Sequence, residues 1–233
     1  SPEKTDLGEW SFTVGPGQFM GSGYLQPKDL SLDLQFDGLP VATIPVQEIQ
    51  FLDGLAQGSI HLKGSPARPE GTAVLQFETL QLREQGIPSV VVTLQAALRD
   101  HLAEATLLVQ GLSGEPLKAH LESPLYFSLS PLAAAFPSQD EIRGTFQGQL
   151  HLENMAGLLN LHEEILTGTL GLDLALQGTV ENPRITGRID LKNGSYENLR
   201  TGTLLKDLEA VMAAQTARLV VDQATATDGE GGR

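Results

Sequence analysis

The sequence predicts an all-β protein, built as a long meander of antiparallel strands. Three observations carry this. Leu166, Gly168, Leu170, Leu172, Leu174, Leu176, Gly178 and Val180 put an apolar residue or glycine at every second position. A strand sends successive side chains to opposite faces, so this run has one apolar and one polar face. The same alternation recurs along much of the 233 residues. The chain's 25 glycines and 13 prolines suit many turns.

In chain order, residues 30–36 (LSLDLQF) place Leu30, Leu32, Leu34 and Phe36 on one face. Residues 58–64 (GSIHLKG) form a short strand carrying Ile60 and Leu62. Ala73, Leu75 and Phe77 alternate, and then the phase shifts to Leu80 and Leu82, as a bulge or a break produces. Val90, Val92, Leu94, Ala96 and Leu98 make the next face. Ala105, Leu107 and Val109 follow, then Leu117, Ala119 and Leu121, then Leu125, Phe127 and Leu129. Residues 131–141 (PLAAAFPSQDE) break the pattern and read as a loop within one architecture. Ile142, Gly144, Phe146, Gly148, Leu150 and Leu152 restart it.

After the 166–180 run, Glu181-Asn182-Pro183 is a turn. Ile185, Gly187, Ile189 and Leu191 return, and Asn193-Gly194 is expected to close that strand as a hairpin turn. The last strand carries Leu219, Val221, Ala224 and Ala226, with an irregularity near Asp222. Two stretches stay open between strand and short helix: 154–165 (NMAGLLNLHEEI) and 204–216, where Leu205, Leu208 and Met212 have helical spacing. Glycine and proline stand five apart in Gly64–Pro69 and again in Gly178–Pro183. Such an echo suits a sheet that grows by repetition. A dozen or more strands at about 4.8 Å each would extend roughly 60–70 Å.

Composition narrows the chemistry. Net charge is −14, which argues against nucleic acid and against an anionic membrane surface. Aromatics are 5% of the chain, so the apolar faces are aliphatic and lack the platforms that stack on sugars or bases. No cysteine is present, which removes disulfides, thiolate metal sites and cysteine nucleophiles. No stretch reaches the 18–20 apolar residues, roughly, of a membrane span, and no secretory signal is visible. The chain runs from Ser1 to Arg233 and reads as a fragment of a longer protein.

Catalytic signals are poor. His61, His101, His120, His151 and His162 show no metal-ligand spacing, and His162-Glu163-Glu164 lacks the second histidine of HExxH. Gly15-Pro16-Gly17 and Gly21-Ser22-Gly23 lack the Gly-Lys-Ser/Thr of a phosphate loop and read as turns. Asp140 and Glu141 fall in a polar loop, where a solvated surface is the default. Trp10 reads as a core or edge anchor. The expectation is a non-enzymatic protein with no catalytic residue, no metal site and no cofactor.

One segment resembles a known family. QGTVENPRITGRIDLKNGSYENLRTGTLLKDL at 177–208 is similar to the C-terminal region of the TamB family, within the AsmA-like group. The pattern falls on Gly178, Thr179, Pro183, Gly187, Ile189, Leu191, Asn193, Gly194, Tyr196, Glu197, Gly202, Thr203, Leu205 and Asp207. GSPARPEGTAVLQF at 64–77 and TATDGEGG at 225–232 extend the resemblance over residues 58–233, while residues 1–57 are β-rich and carry no motif.

The resemblance implies a β-taco, a long antiparallel or mixed sheet curled into an apolar-lined trough. It implies a parent anchored in the inner membrane and crossing the periplasm. The implied role is moving phospholipid toward the outer membrane, with acyl chains as the bound partner. An outer-membrane barrel protein of the TamA/BamA type would be a partner of the parent. The expected groove lining is Ile142, Phe146, Leu150, Leu152, Leu170, Leu172, Leu174, Leu176, Ile185, Ile189 and Leu191. Alternation alone also allows a sandwich, in which two sheets bury the same leucines. A second functional possibility is an interaction module whose open strand edge pairs with an assembling β-barrel client. Open edges also make a dimer of the isolated fragment plausible.

Overall fold

The computed structural model describes residues 5–43, 52–82, 89–155, 163–216 and 218–228. The described strands are β1 (Thr5–Val14), β2 (Gly17–Leu25), β3 (Leu30–Pro40), β4 (Leu52–Ser65), β5 (Arg68–Leu82), β6 (Val90–Arg99), β7 (Leu102–Gln110) and β8 (Leu117–Pro124). They continue with β9 (Tyr126–Leu129), β10 (Leu132–Ala135), β11 (Arg143–His151), β12 (Glu164–Gly178), β13 (Pro183–Asn198), β14 (Thr203–Gln215) and β15 (Arg218–Thr227). Two described 3-10 turns, Val41–Thr43 and Leu152–Met155, follow β3 and β11.

Thirteen strands make one sheet, in chain order from β1 to β15 with β9 and β10 set aside as a separate hairpin. Every pairing in it is antiparallel, and β1 and β15 do not meet, so the sheet is open. Twelve steps of about 4.8 Å give a length near 58 Å. The sheet runs on across residues 57 and 58, inside β4, and across 131–141, where β8 pairs directly with β11.

The sheet is a single layer rather than a sandwich. Its accessible surface is 14532 Å² for a 24.9 kDa chain. A compact globular protein of that mass exposes about 10,200 Å². The principal contacts join neighbours in the sheet; besides these, the 3-10 turns pack on adjacent strands and β9 lies against β5.

Aligned bulges curl it. Register slips between Phe36 and Leu39, between Asp53 and Leu55, and between Phe77 and Leu80, with Gly38 at φ 63 and Thr79 at φ 53. It slips again between Thr167 and Thr169, between Leu191 and Gly194, and between Lys206 and Glu209, with Asn193 at φ 51 and Asp207 at φ 49. Each extra residue bends its strand and adds twist, so adjacent bulges bend the sheet together. Exposure shows which side closes. In β11, Gly144, Phe146, Gly148 and Leu150 are half-buried, while Thr145, Gln147 and Gln149 are exposed. The apolar side is the concave one. The bent ends of β3 to β5 also make a small core, where Val41, Ala56 and Leu80 are buried against Phe36, Leu39, Phe77, Val90 and Val92.

Several expectations resolve on this frame. The phase shift in 72–82 is the bulge at Thr79; Leu80 is buried, and the side chain of Leu82 lies outside the described residues. Residues 203–215 are strand, not helix. The bulge between Lys206 and Glu209 turns a two-residue step into a three-residue step, so Leu205, Leu208 and Met212 mimic helical spacing while pairing with Tyr196, Gly194 and Ile189. Asn193-Gly194 is likewise a bulge inside β13, not a turn.

The turn comes later, where buried Asn198 accepts hydrogen bonds from the N–H groups of Arg200 and Thr201 at 3.1 and 2.9 Å. Gly21-Ser22-Gly23 lies within β2, with the Trp10 ring over Gly21, whereas Gly15-Pro16 does turn the chain between β1 and β2. Leu125, Phe127 and Leu129 belong to or border the separate hairpin. Of 154–165, Asn154 and Met155 sit in the 3-10 turn and Glu164 and Ile165 open β12; 156–162 lie outside the described residues. The irregularity at Asp222 is real, since Met212 pairs with Val221 and Val211 with Gln223. The glycine–proline echo is one hairpin used twice, with Gly64 opposite Pro69 and Gly178 opposite Pro183.

Candidate functional site

The concave face is organised by register. Starting at Phe12 in β1, one cross-strand row passes through Phe19, Phe36, Gly58, Leu75, Leu94 and Leu107. It goes on through Ala119, Phe146, Leu174, Gly187, Ala214 and Leu219 in β15. Every strand of the sheet contributes, and no member carries a polar side chain. A second row starts with Leu39, Ala56, Phe77, Val92, Val109 and Leu117. It continues from Gly148 beside Leu117 to Leu172, Ile189, Met212 and Val221. Antiparallel pairing brings same-face residues opposite one another, so alternation within each strand becomes a continuous apolar stripe across all of them.

The expected lining residues fall largely together. Phe146 and Leu150 of β11 face Leu174 and Leu170 of β12, and Leu170, Leu172 and Leu176 face Leu191, Ile189 and Ile185 of β13. Ile142 just precedes β11, and its N–H donates to the Gly178 carbonyl at 2.8 Å. Leu152 departs from the expectation: the strand has ended before it, and it is buried in the 3-10 turn, out of the open groove.

Sequence reasoning missed the N-terminal end of the groove. There Trp10, Phe12, Phe19 and Phe36 stack with ring centroids 5.0–5.9 Å apart. Phe12 and Phe19 stand either side of the β1–β2 turn, and that symmetric placement was the available signal.

Curvature has a local requirement. Gly187 has φ 137, and a Cβ there would lie 2.1 Å from the Asp173 carbonyl oxygen. At Gly148, φ 144, a Cβ would lie 2.7 Å from the Leu117 side chain. Only glycine fits so close a backbone approach on the inside of a bend.

Among the described residues charge lies mainly on the other face and in turns. His61 pairs with Asp33 at 2.5 Å, His120 with Glu122 at 3.3 Å and Arg188 with Asp190 at 2.7 Å. The Arg188 hydrogen bond holds the Asp190 carboxyl below its ordinary 3.8, against a smaller opposing effect of desolvation. The same bond raises Arg188. Tyr24 is raised by its hydrogen bond to Asp29. None of these groups points into the apolar rows. Trp10 is an edge anchor in β1, and His101 stacks on Tyr126 at 4.5 Å. Among the described residues no cluster of three potential metal ligands exists, and no helix is long and apolar enough to cross a membrane.

The two rows offer no directional polar group, only aliphatic and aromatic contact open to water along one side. They suit a long hydrocarbon whose polar end stays outside. No family model matches the chain, and no curated protein or solved structure matches it.

Proposed function

We propose that this chain is a segment of a periplasm-spanning envelope protein that carries phospholipid along its groove between inner and outer membrane. The acyl chains lie on the concave face and the headgroups stay in water. The observation that supports this best is the apolar row crossing all thirteen strands without a polar side chain. Apolar burial contributes about 25 cal/mol per Å² and has no preferred direction. A hydrocarbon chain can therefore move along such a row, losing and regaining equivalent contacts. The resemblance of 177–208 to the TamB family points the same way. With it come an inner-membrane anchor on the parent and an outer-membrane barrel protein of the TamA/BamA type as partner.

The test is native mass spectrometry with lipid extraction on the purified chain, comparing wild type with Leu172→Arg and Leu174→Arg. Phospholipid that co-purifies with wild type and is lost from folded variants supports the proposal. Wild type without lipid counts against it.

A second reading has its own observation. β15 is an uncovered edge strand on which Leu219, Val220 and Val221 are 55%, 37% and 57% exposed. An edge of this kind can pair with a strand of a β-barrel client or of another copy. A proline at an outward-pointing N–H of β15, away from Leu219 and Val221, would block such pairing and leave the side chains of the apolar rows in place, sparing lipid carriage.

A further inference from the structure

We propose that the segment joining β8 to β11 is a bilayer-contact strap that seats one rim of the sheet on a zwitterionic lipid surface. Its composition stands apart. Ser123–Gln139 carries no charged side chain, in a chain that is 19% charged overall. Glu122 precedes this stretch, and Asp140 and Glu141 follow it.

The strap runs along the rim instead of adding to the sheet. The Leu125 N–H donates to the His101 carbonyl, in the β6–β7 turn, at 2.7 Å. The Leu129 N–H donates to the Pro66 carbonyl, in the β4–β5 turn, at 2.7 Å. Those turns are two strand spacings apart, about 10 Å, and four extended residues cover about 13 Å. β9 therefore lies parallel to the groove. β10 pairs back on it, and the chain then reaches the β12–β13 turn, where the Glu181 N–H donates to the Ser138 carbonyl at 2.9 Å.

These anchors are main-chain hydrogen bonds; Tyr126 also stacks on His101, and the most exposed large apolar side chains of the strap lie in and after β10. Leu132 is 77% exposed, Phe136 56% and Tyr126 49%. A backbone tied to the rim and paired within a hairpin, presenting leucine and aromatic rings with no charge, suits the lipid interface. Charge selects the occupant. A second copy or an anionic surface would set further negative charge against a chain already at −14, which favours a neutral partner on this rim. A zwitterionic bilayer carries no net charge. The inference deepens the lipid-carrying reading, since it gives acyl chains a place to enter over the rim, but bilayer contact is measurable without it.

The experiment is flotation of the 233-residue chain with pure phosphatidylcholine vesicles, for wild type, the double variant Leu132→Glu/Phe136→Glu, and Leu174→Arg. The expected result is that wild type and Leu174→Arg float. The double variant loses at least about tenfold in vesicle-bound fraction, with unchanged circular dichroism. Wild type that stays off the vesicles overturns the inference, and so does a double variant that floats equally well. If the double substitution instead converts a dimer to a monomer by sedimentation velocity, the strap covers another copy and the inference also falls. Absence of co-purified lipid in wild type, with strap-dependent flotation intact, would remove the carriage reading alone.

Discussion

Leu174→Arg separates an occupied groove from a closed core. Leu174 sits mid-row, between Phe146 of β11 and Gly187 of β13, and is only half-buried. An arginine there can lay its stem along the face and turn its guanidinium to water. The fold should therefore lose only about 1 kcal/mol, roughly half of a full leucine burial. A bound hydrocarbon has no such escape. One strand spacing corresponds to about four methylenes, each worth about 0.8 kcal/mol when fully buried. On a face open along one side, half of that is about 1.5 kcal/mol, or roughly tenfold in occupancy. The assay is lipid stoichiometry by native mass spectrometry, with thermal unfolding in parallel. Thr145→Arg, on the exposed polar face of the adjacent strand, is the control and should keep wild-type lipid. Equal lipid in Leu174→Arg and Thr145→Arg would refute the reasoning, as would a Leu174→Arg protein that fails to fold.

Other positions carry separate predictions. Gly187→Ala should cost about 1–3 kcal/mol in denaturant unfolding, because its Cβ meets the Asp173 carbonyl oxygen at positive φ; Gly114→Ala, with open space around it, should change stability little. Asp190 should titrate below its ordinary 3.8 in carboxyl-detected NMR. A lowered carboxyl contributes stability above the unfolded pKa and loses it as pH falls through the folded one, so this contribution should fade only in acid below that ordinary value. Arg188→Gln should return Asp190 toward 3.8 with little change in melting temperature, since Arg188 is exposed and Asp190 only half-buried. Leu219→Lys/Val221→Lys should suppress any concentration-dependent association seen by sedimentation velocity, while the melting temperature holds.

Strands and faces were legible because their signal is local. Leu170 to Leu176 alternate cleanly, and antiparallel pairing brings them to Phe146, Leu150 and Ile185 without further instruction. Bulges were legible only as disturbances. The shift before Leu80 and the irregularity at Asp222 were visible, but the extra residue near Asp207 looked like helical spacing. Asn193-Gly194 misled for a related reason. Asn at positive φ serves a hairpin turn and a bulge equally well, and only the cross-strand partner tells them apart. Leu152 kept the parity of β11 in sequence after the strand itself had ended. The choice between two layers and one was hidden, because the same alternation serves both; it rests on which strands meet beyond their neighbours, a property of no single segment.

The hairpin repeated at Gly64–Pro69 and Gly178–Pro183 makes the length of this molecule a matter of counting. Along most of the sheet each strand depends only on the strands before and after it, so stability accrues stepwise, as in a solenoid. Removing two consecutive strands would preserve direction, register and facing for everything that remains. Adding two would lengthen the sheet by about 10 Å with the same cross-section. Width is set by where the bulges fall and reach by how many hairpins are strung together. A gene could tune the second by duplication without redesigning the first.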